Sequence, residues 1–295
     1  MNNTSRAFQR AGSREFTVCI PILNQHEEAV KHLDSWFALA KGRISVVFID
    51  NGSDEHFENR PELLAWKREG HCIRVIRNED NTGVYPTFQQ GYEECCEHNP
   101  WIFYSHSDVE MLVSGWDIRL HVLLKAAAAR KAGACGMFGA IGIGLPGIYR
   151  TPYDLNQLQR WGCHTVESMA GAGGNAVLHD LTQCLVLDGF SLILHRDMIE
   201  EVGFDYESYP SHHMYDNDIC LMSSFAGYNN FVLDLDCIHH GGMTSTREKW
   251  AEKMGSTDID THRAAHLVFY EKYRGKLPYM VGKSVHVQEK ELVDQ

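Results

Sequence analysis

Four short apolar runs, separated by stretches with helical spacing, set what this chain can fold into. They are Phe16 to Ile22, Ile44 to Ile49, Cys72 to Ile76 and Ile102 to Tyr104. Each is enriched in β-branched and aromatic residues, which marks a buried strand. Ile44-Ser45-Val46-Val47-Phe48-Ile49 is almost continuously apolar, as parallel strands are when both faces are covered. Residues 26 to 40 place Ala29, Val30, Leu33, Trp36, Phe37 and Ala40 at helical spacing. Residues 61 to 69 and 86 to 97 read as two further helices. Strand alternating with helix is the pattern of a doubly wound α/β unit.

Three of the runs stop at polar clusters: Pro21-Ile22-Leu23-Asn24, Asp50-Asn51-Gly52-Ser53-Asp54 and His106-Ser107-Asp108. In open α/β sheets ligands bind beyond the carboxyl ends of the strands. If the strands are parallel, all three clusters line one crevice. His106, Ser107 and Asp108 offer an imidazole, a hydroxyl and a carboxylate, which suit a hard divalent cation or a phosphate–metal complex. The plain alternative is a polar strand end that caps the next turn. Asp50 suits a base N–H or a ribose hydroxyl, and suits equally an Asx-turn closing on Gly52. Neither G-x-G-x-x-G nor a Walker lysine loop occurs, so a diphosphate bound at this edge needs a metal instead.

The second half is more open. A helix is expected over Gly115 to Ala132 and a glycine-rich strand region over Cys135 to Ile143. Residues 144 to 180 show little periodicity and read as a long functional loop. Strand signals return at Cys184 to Leu187, Ser191 to Leu194 and Phe231 to Leu235. Helices are expected at 197 to 202, at 216 to 226 and within 246 to 275. Asp216 and Asp218 open a helical stretch, where carboxylates complement the helix dipole, and Asp218 reads as a simple cap. His239 and His240 follow a strand, so alternation sends their rings to opposite sides and only one faces the crevice.

Composition excludes several classes. A net charge of −12 argues against nucleic acid as a partner, which needs a basic footprint. No apolar run approaches the roughly 20 residues of a membrane span. Met1 to Arg14 is polar and reads as a disordered tail rather than a signal. Nine cysteines lack any Cys-x-x-Cys pair. A structural zinc site is therefore not expected, and a reducing, cytoplasmic compartment is.

Read together, these residues resemble an inverting family-2 glycosyltransferase with the GT-A fold, over about Thr17 to Ser245. The first strand ends in Pro-x-x-Asn at Pro21 to Asn24. The second ends in Asp50, Gly52 and Ser53, with Asp54 one place earlier than in the family. Asn81-Thr82-Gly83 matches an Asn-x-Gly loop that opens a helix. Leu187-Asp188-Gly189-Phe190 and Glu201-Val202-Gly203-Phe204-Asp205 match the segment ahead of the catalytic acid. The chain departs from the family at its metal motif, where the usual Asp-x-Asp is His106-Ser107-Asp108. With His213-Met214-Tyr215-Asp216-Asn217-Asp218, this is similar to a subgroup like a streptomycin-biosynthesis protein.

The resemblance implies a Rossmann-like, mostly parallel central sheet with helices on both faces and a smaller mixed acceptor-side region. It implies one domain over 15–250, with a nucleotide-sugar half (15–143) and an acceptor half (144–250), then a C-terminal helical extension and tail (251–295). A nucleoside diphosphate sugar, of UDP or dTDP type, is the implied donor, and a glycan or small molecule the acceptor. Pro21, Leu23, Asn24, Asp50, Asn51, Asn81, Gly83, His106 and Ser107 are the implied nucleotide contacts. Asp188, Gly189, His213 and Tyr215 are the implied sugar and acceptor contacts. Asp108 with His239 or His240 would hold Mn²⁺ or Mg²⁺, the His-x-Gly-Gly spacing favouring His239. Asp216 is the implied general base, and a single base acting on the acceptor implies inversion. The alternative is a catalytically altered nucleotide-sugar-binding protein on the same fold. A sugar-phosphate nucleotidyltransferase would begin with a glycine-rich basic loop, which Phe16 to Asn24 lacks.

Overall fold

The first strand, β1 (Phe16–Ile22), sits inside the sheet and hydrogen-bonds on both sides. The computed structural model describes residues 15–95, 98–146, 155–163, 180–209, 213–241, 257–281 and 283–284. Parallel to β1 run β2 (Ser45–Asn51) on one side and β4 (Trp101–Ser105) on the other, with β3 (Cys72–Asn78) outside β2. The crossovers are α1 (His26–Leu39), α2 (Pro61–Arg68) and α3 (Val84–Glu94). The run from Phe16 forms a strand through Ile22, as its sequence predicts. Pairing with β4 ends at Cys19, whereas pairing with β2 continues through Pro21 to Ile22.

The sheet continues through β11 (Ser191–His195), β6 (Ala132–Gly136), β12 (Asn229–Leu233) and β9 (Leu181–Cys184). Only β11 and β9 run against the rest. Successive side chains of a strand point to opposite faces, which gives the molecule two cores. Val18, Ile20, Val46 and Phe48 pack with α1, α2 and α4 (Trp116–Ala128). Cys19, Val47, Ile49 and Tyr104 pack with α3, α5 (Arg196–Val202) and α6 (Tyr215–Phe225). The expected architecture, a mostly parallel sheet clad on both faces, is what forms.

Among the described residues two smaller sheets adjoin the main one. A ribbon pairs β5 (Val109–Met111) with β13 (Cys237–His239). The other sheet is built on β7 (Phe138–Pro146), which pairs with β8 (Leu155–Gly162), β10 (Val186–Leu187) and β14 (Tyr279–Met280). Strand β8 corrects part of the expected 144–180 loop. Its sequence, LNQLQRWG, leaves both faces partly exposed and so carries no clean alternation. The rest of that loop, 147–154 and 164–179, lies outside the described residues, as do His212 and the N-terminal tail.

Helix α7 (Asp258–Tyr273) belongs to the body of the fold: Ala265, Phe269 and Tyr273 are buried in the second core. It also overturns the reading of Asp218 as a simple cap. Asp218 is fully buried, and its carboxylate accepts from the Tyr273 hydroxyl at 2.7 Å and lies 2.9 Å from Lys272 Nζ. Burial pushes its carboxyl up, against the pull of the Tyr273 and Lys272 hydrogen bonds. Truncating one partner of a buried pair strands the other charge. Lys272→Met is therefore expected to lower unfolding stability by about 3 kcal/mol in a urea titration, the low end for such pairs because Lys272 is partly exposed. An unchanged midpoint would show that the Tyr273 and Tyr209 hydroxyls suffice to hold Asp218.

Candidate active site

The parallel strands bring the polar ends of β1, β2 and β4 to one side of the sheet, but those ends do different work. Asp50, at the end of β2, is 1% exposed. It accepts hydrogen bonds from Ser53 N at 3.1 Å, Phe57 N at 3.0 Å and Arg77 Nη1 at 2.6 Å. Burial alone would raise its carboxyl, yet these donors hold it below the usual range. The geometry is that of the Asx-turn alternative, reinforced by Arg77. Gly52 follows with φ 83°, packed so closely on Asp80 and Asn81 that a side chain has no room. Asn51 is equally committed, donating to Asn81 Oδ1 and Gly83 O and accepting from Asn78 and Thr82. Asn24 reaches across to the same turn, where its Oδ1 accepts from Asp54 N at 2.8 Å. Pro21, Leu23 and Ser107 are half-buried at the same strand ends.

Beyond β4 the antiparallel register of β11 takes over. Ser191 pairs with Ser105, and His106 N donates to Phe190 O at 3.0 Å. Asp188 and Gly189, just ahead of β11, are thereby set beside His106. Gly189 has to be glycine, because a Cβ there would strike the Tyr215 hydroxyl. Met214 enters α6 with φ 64°, a left-handed conformation that side chains disfavour. Tyr215 is buried, and its hydroxyl shares a 3.2 Å hydrogen bond with His106 Nε2. Asp216 is the second residue of α6 rather than ahead of it. It accepts from Gly189 N at 3.0 Å and Asn217 N at 2.8 Å. Burial and the nearby Asp188 carboxylate push its carboxyl up to about 7, the two backbone donors notwithstanding.

The other carboxylate has the opposite character. Asp108 Oδ1 lies 3.3 Å from His239 Nε2 and 4.0 Å from His106 Nδ1. Burial would raise Asp108, but His239 and His106 bring it down to about 2. His239 is buried and stacks on Phe190 with ring centroids 4.4 Å apart. Burial would lower its basicity, and Asp108 more than reverses that. His240 turns away, its Nε2 2.9 Å from Glu110 Oε2, so only His239 joins Asp108 and His106.

A cleft of about 340 Å³ is lined by Asp188, Gly189, Tyr215 and Asp216, together with His106 and His213. The sequence reading missed part of that wall: Gln157 and Arg160 on β8, and His262 and His266 on α7. The spacing of the last two was a usable signal, since positions four apart share one helix face.

The profile of glycosyl transferase family 2 matches residues 17–181, more than half of the chain. The chain belongs to glycosyl transferase family 2. Asp188, Asp216 and His239 lie past the matched residues. No curated protein matches the chain at a significant level. Among solved structures it is similar to the mannosyltransferase PcManGT from Pyrobaculum calidifontis in complex with GDP-Man and Mn²⁺. That likeness has a TM-score of 0.56 and 12% identity, over 91% of this chain and 70% of that one. It is also similar to GalNAc-T7 with UDP, GalNAc and Mn²⁺, with a TM-score of 0.55 and 11% identity. There the match covers 78% of this chain and 44% of that one. The likeness establishes a GT-A fold, and the family membership makes the protein a glycosyltransferase.

Because Asp50 holds the β2 turn, Asp50→Asn is expected to lose about 2–3 kcal/mol of unfolding stability. Nucleoside diphosphate affinity, measured by calorimetry below the melting range, is expected to stay within about threefold of wild type, well under the loss of a charge-assisted hydrogen bond. A large affinity loss with stability intact would restore Asp50 as a nucleoside contact.

Proposed function

We propose that the protein transfers a sugar, with inversion, from a nucleoside diphosphate sugar to an acceptor hydroxyl, and that Asp216 is the general base. The observation that carries this is the contrast between two carboxylates. Asp216 lines the open cleft with its carboxyl raised to about 7, near the ideal for a base at neutral pH. Asp108 stays ionised among imidazoles at the far side of the Tyr215–His106 hydrogen bond. Environments that push two acids apart are how one site assigns two roles.

Asp108, His106 and His239 fit a divalent cation, Mn²⁺ or Mg²⁺ in this reading. Each offers one ligand atom, all within 4.8 Å of one another. Asp108 Oδ1 and both ring nitrogens of His239 are buried without a hydrogen bond of acceptable geometry. Bound there, the cation would stabilise the negative charge of a leaving diphosphate as a Lewis acid. The chain's own residues do the rest. His106 and Asp108 stand at the end of β4, and His239 is held against Phe190. Asp216 is aimed into the cleft by the Gly189 and Asn217 amides, where it would take the acceptor's proton. Asp188 and Gly189, which line the cleft, would meet the sugar, and His213 the acceptor.

The finer readings follow the sequence resemblance. They are a UDP- or dTDP-type donor, a glycan or small-molecule acceptor, and kinship with the streptomycin-biosynthesis-like subgroup. A cytoplasmic site of action is supported by the free cysteines and the lack of a disulfide among the described residues. No helix of the described residues is long and apolar enough to cross a membrane.

Once a donor has been found by screening nucleotide sugars, Asp216→Asn is expected to cut turnover by about 10²–10⁴-fold. Donor affinity should be retained. The base acts only when deprotonated, so wild-type log kcat should rise with pH up to about 7 and flatten above it. Wild-type turnover in Asp216→Asn removes the assignment. In calorimetry, Asp108→Asn is expected to abolish the Mn²⁺ dependence of UDP or dTDP binding, because a neutral amide is a weak anchor for a hard cation. Equal affinity with and without Mn²⁺ in both forms sinks the metal role.

A further inference from the structure

Helix α1 meets the β5–β13 ribbon through one face. Trp36 donates its indole N–H to the Val109 carbonyl at 2.7 Å, and Ser35 Oγ accepts from Met111 N at 2.9 Å. His32 precedes these two by three and four residues, so it lies on the same face one turn earlier. It is buried at 5% exposure and stacks on His240, with ring centroids 3.9 Å apart. His240 Nε2 in turn lies 2.9 Å from Glu110 Oε2. The three side chains come from α1, β5 and the residue after β13. Each offers one ligand atom within 4.8 Å of the others. None of the three lines the cleft, and none belongs to the Asp108 cluster.

We propose that His32, Glu110 and His240 form a second metal site, for a borderline divalent cation of the zinc type, behind the ribbon that carries Asp108 and His239. Two imidazoles and one carboxylate are an established three-ligand set for Zn²⁺, with a fourth position left for water. For a site of imidazole and carboxylate donors affinity rises from Mn²⁺ to Zn²⁺, so Zn²⁺ is the tighter occupant. The lack of Cys-x-x-Cys spacing removes a thiolate site but not this one. Glu110 and His240 keep 37% and 27% of their side-chain surface exposed, which gives a cation a way in. The ligands span two elements that already touch, so the cation clamps α1 to the ribbon. The clamp reaches the neighbouring cluster through the backbone: His240 N donates to Asp108 O at 3.0 Å, and His239 is the adjacent residue. The inference does not rest on the sugar-transfer reading.

The test uses the full chain without a polyhistidine tag, stripped with EDTA and titrated with Zn²⁺ alone. Asp108→Asn disables the other cluster, so zinc binding in that background reports on this one. Elemental analysis after gel filtration is expected to find one tightly held zinc in Asp108→Asn. Adding Glu110→Gln should weaken its affinity at least about tenfold, a scale on which even outer-shell partners act. Glu110 is partly exposed, so this variant should fold even if the buried His32→Ala does not. In Asp108→Asn, Zn²⁺ at about a hundredfold excess over its dissociation constant should raise Tm by about 5 °C. Mn²⁺ at the same concentration should do much less. No tight zinc in Asp108→Asn, or unchanged zinc affinity after Glu110→Gln, overturns the site. A zinc that binds without raising Tm overturns the clamp.

Discussion

The pairing of β4 with β11 is the interaction on which the rest of this site depends. It is antiparallel within a mostly parallel sheet, and its register sets Ser191 against Ser105. With the His106 amide closing onto Phe190, it brings Asp188 and Gly189 beside the end of β4. A slip of one residue would turn every side chain of β11 to the other face. Asp188 would then leave Asp216, Phe190 would leave His239, and the electrostatic contrast between Asp108 and Asp216 would disappear.

The site also shows how burial divides similar groups. Four aspartates, Asp50, Asp108, Asp216 and Asp218, all sit at or near element ends, yet each meets a different set of partners. Amides and a guanidinium surround Asp50, imidazoles Asp108, and two amides with a second carboxylate Asp216. Asp218 meets an ammonium and two tyrosine hydroxyls. Desolvation pushes each carboxyl the same way, so the neighbours decide the outcome. Only Asp216 combines a raised pKa with a place on the open cleft.

The first half was legible because its signals are local. An apolar run followed by a polar cluster names a strand and its end, and parallel order then gathers the ends. Asp108, Asp188, Tyr215, Asp216 and His239 were all named from short motifs, and they do converge. What sequence could not reveal rests on partners far along the chain. Asp218 looks like a cap because aspartate is common in a first helical turn, and its true partners are 54 and 55 residues on. Asp50 looks available because a carboxylate at a strand end could serve a ligand or a turn. The partners that favour the turn, Phe57 and Arg77, lie 7 and 27 residues on. The β5–β13 ribbon is three residues on each strand, too short for any periodicity to register.

The latch between Asp218 and helix α7 sits one residue beyond Asn217, next to Asp216 on α6. It holds α7 by its C-terminal end, at Lys272 and Tyr273, whereas His262 and His266 face the cleft from nearer the other end. Anchorage and cleft wall are therefore separate positions on one helix. The wall of the cleft is like a panel hung from a fixed post: substituting His262 or His266 leaves in place the side chains that hold Asp218. The helix lies beyond the residues the family profile covers. Gln157 and Arg160, on the β8 side of the same cleft, lie within them.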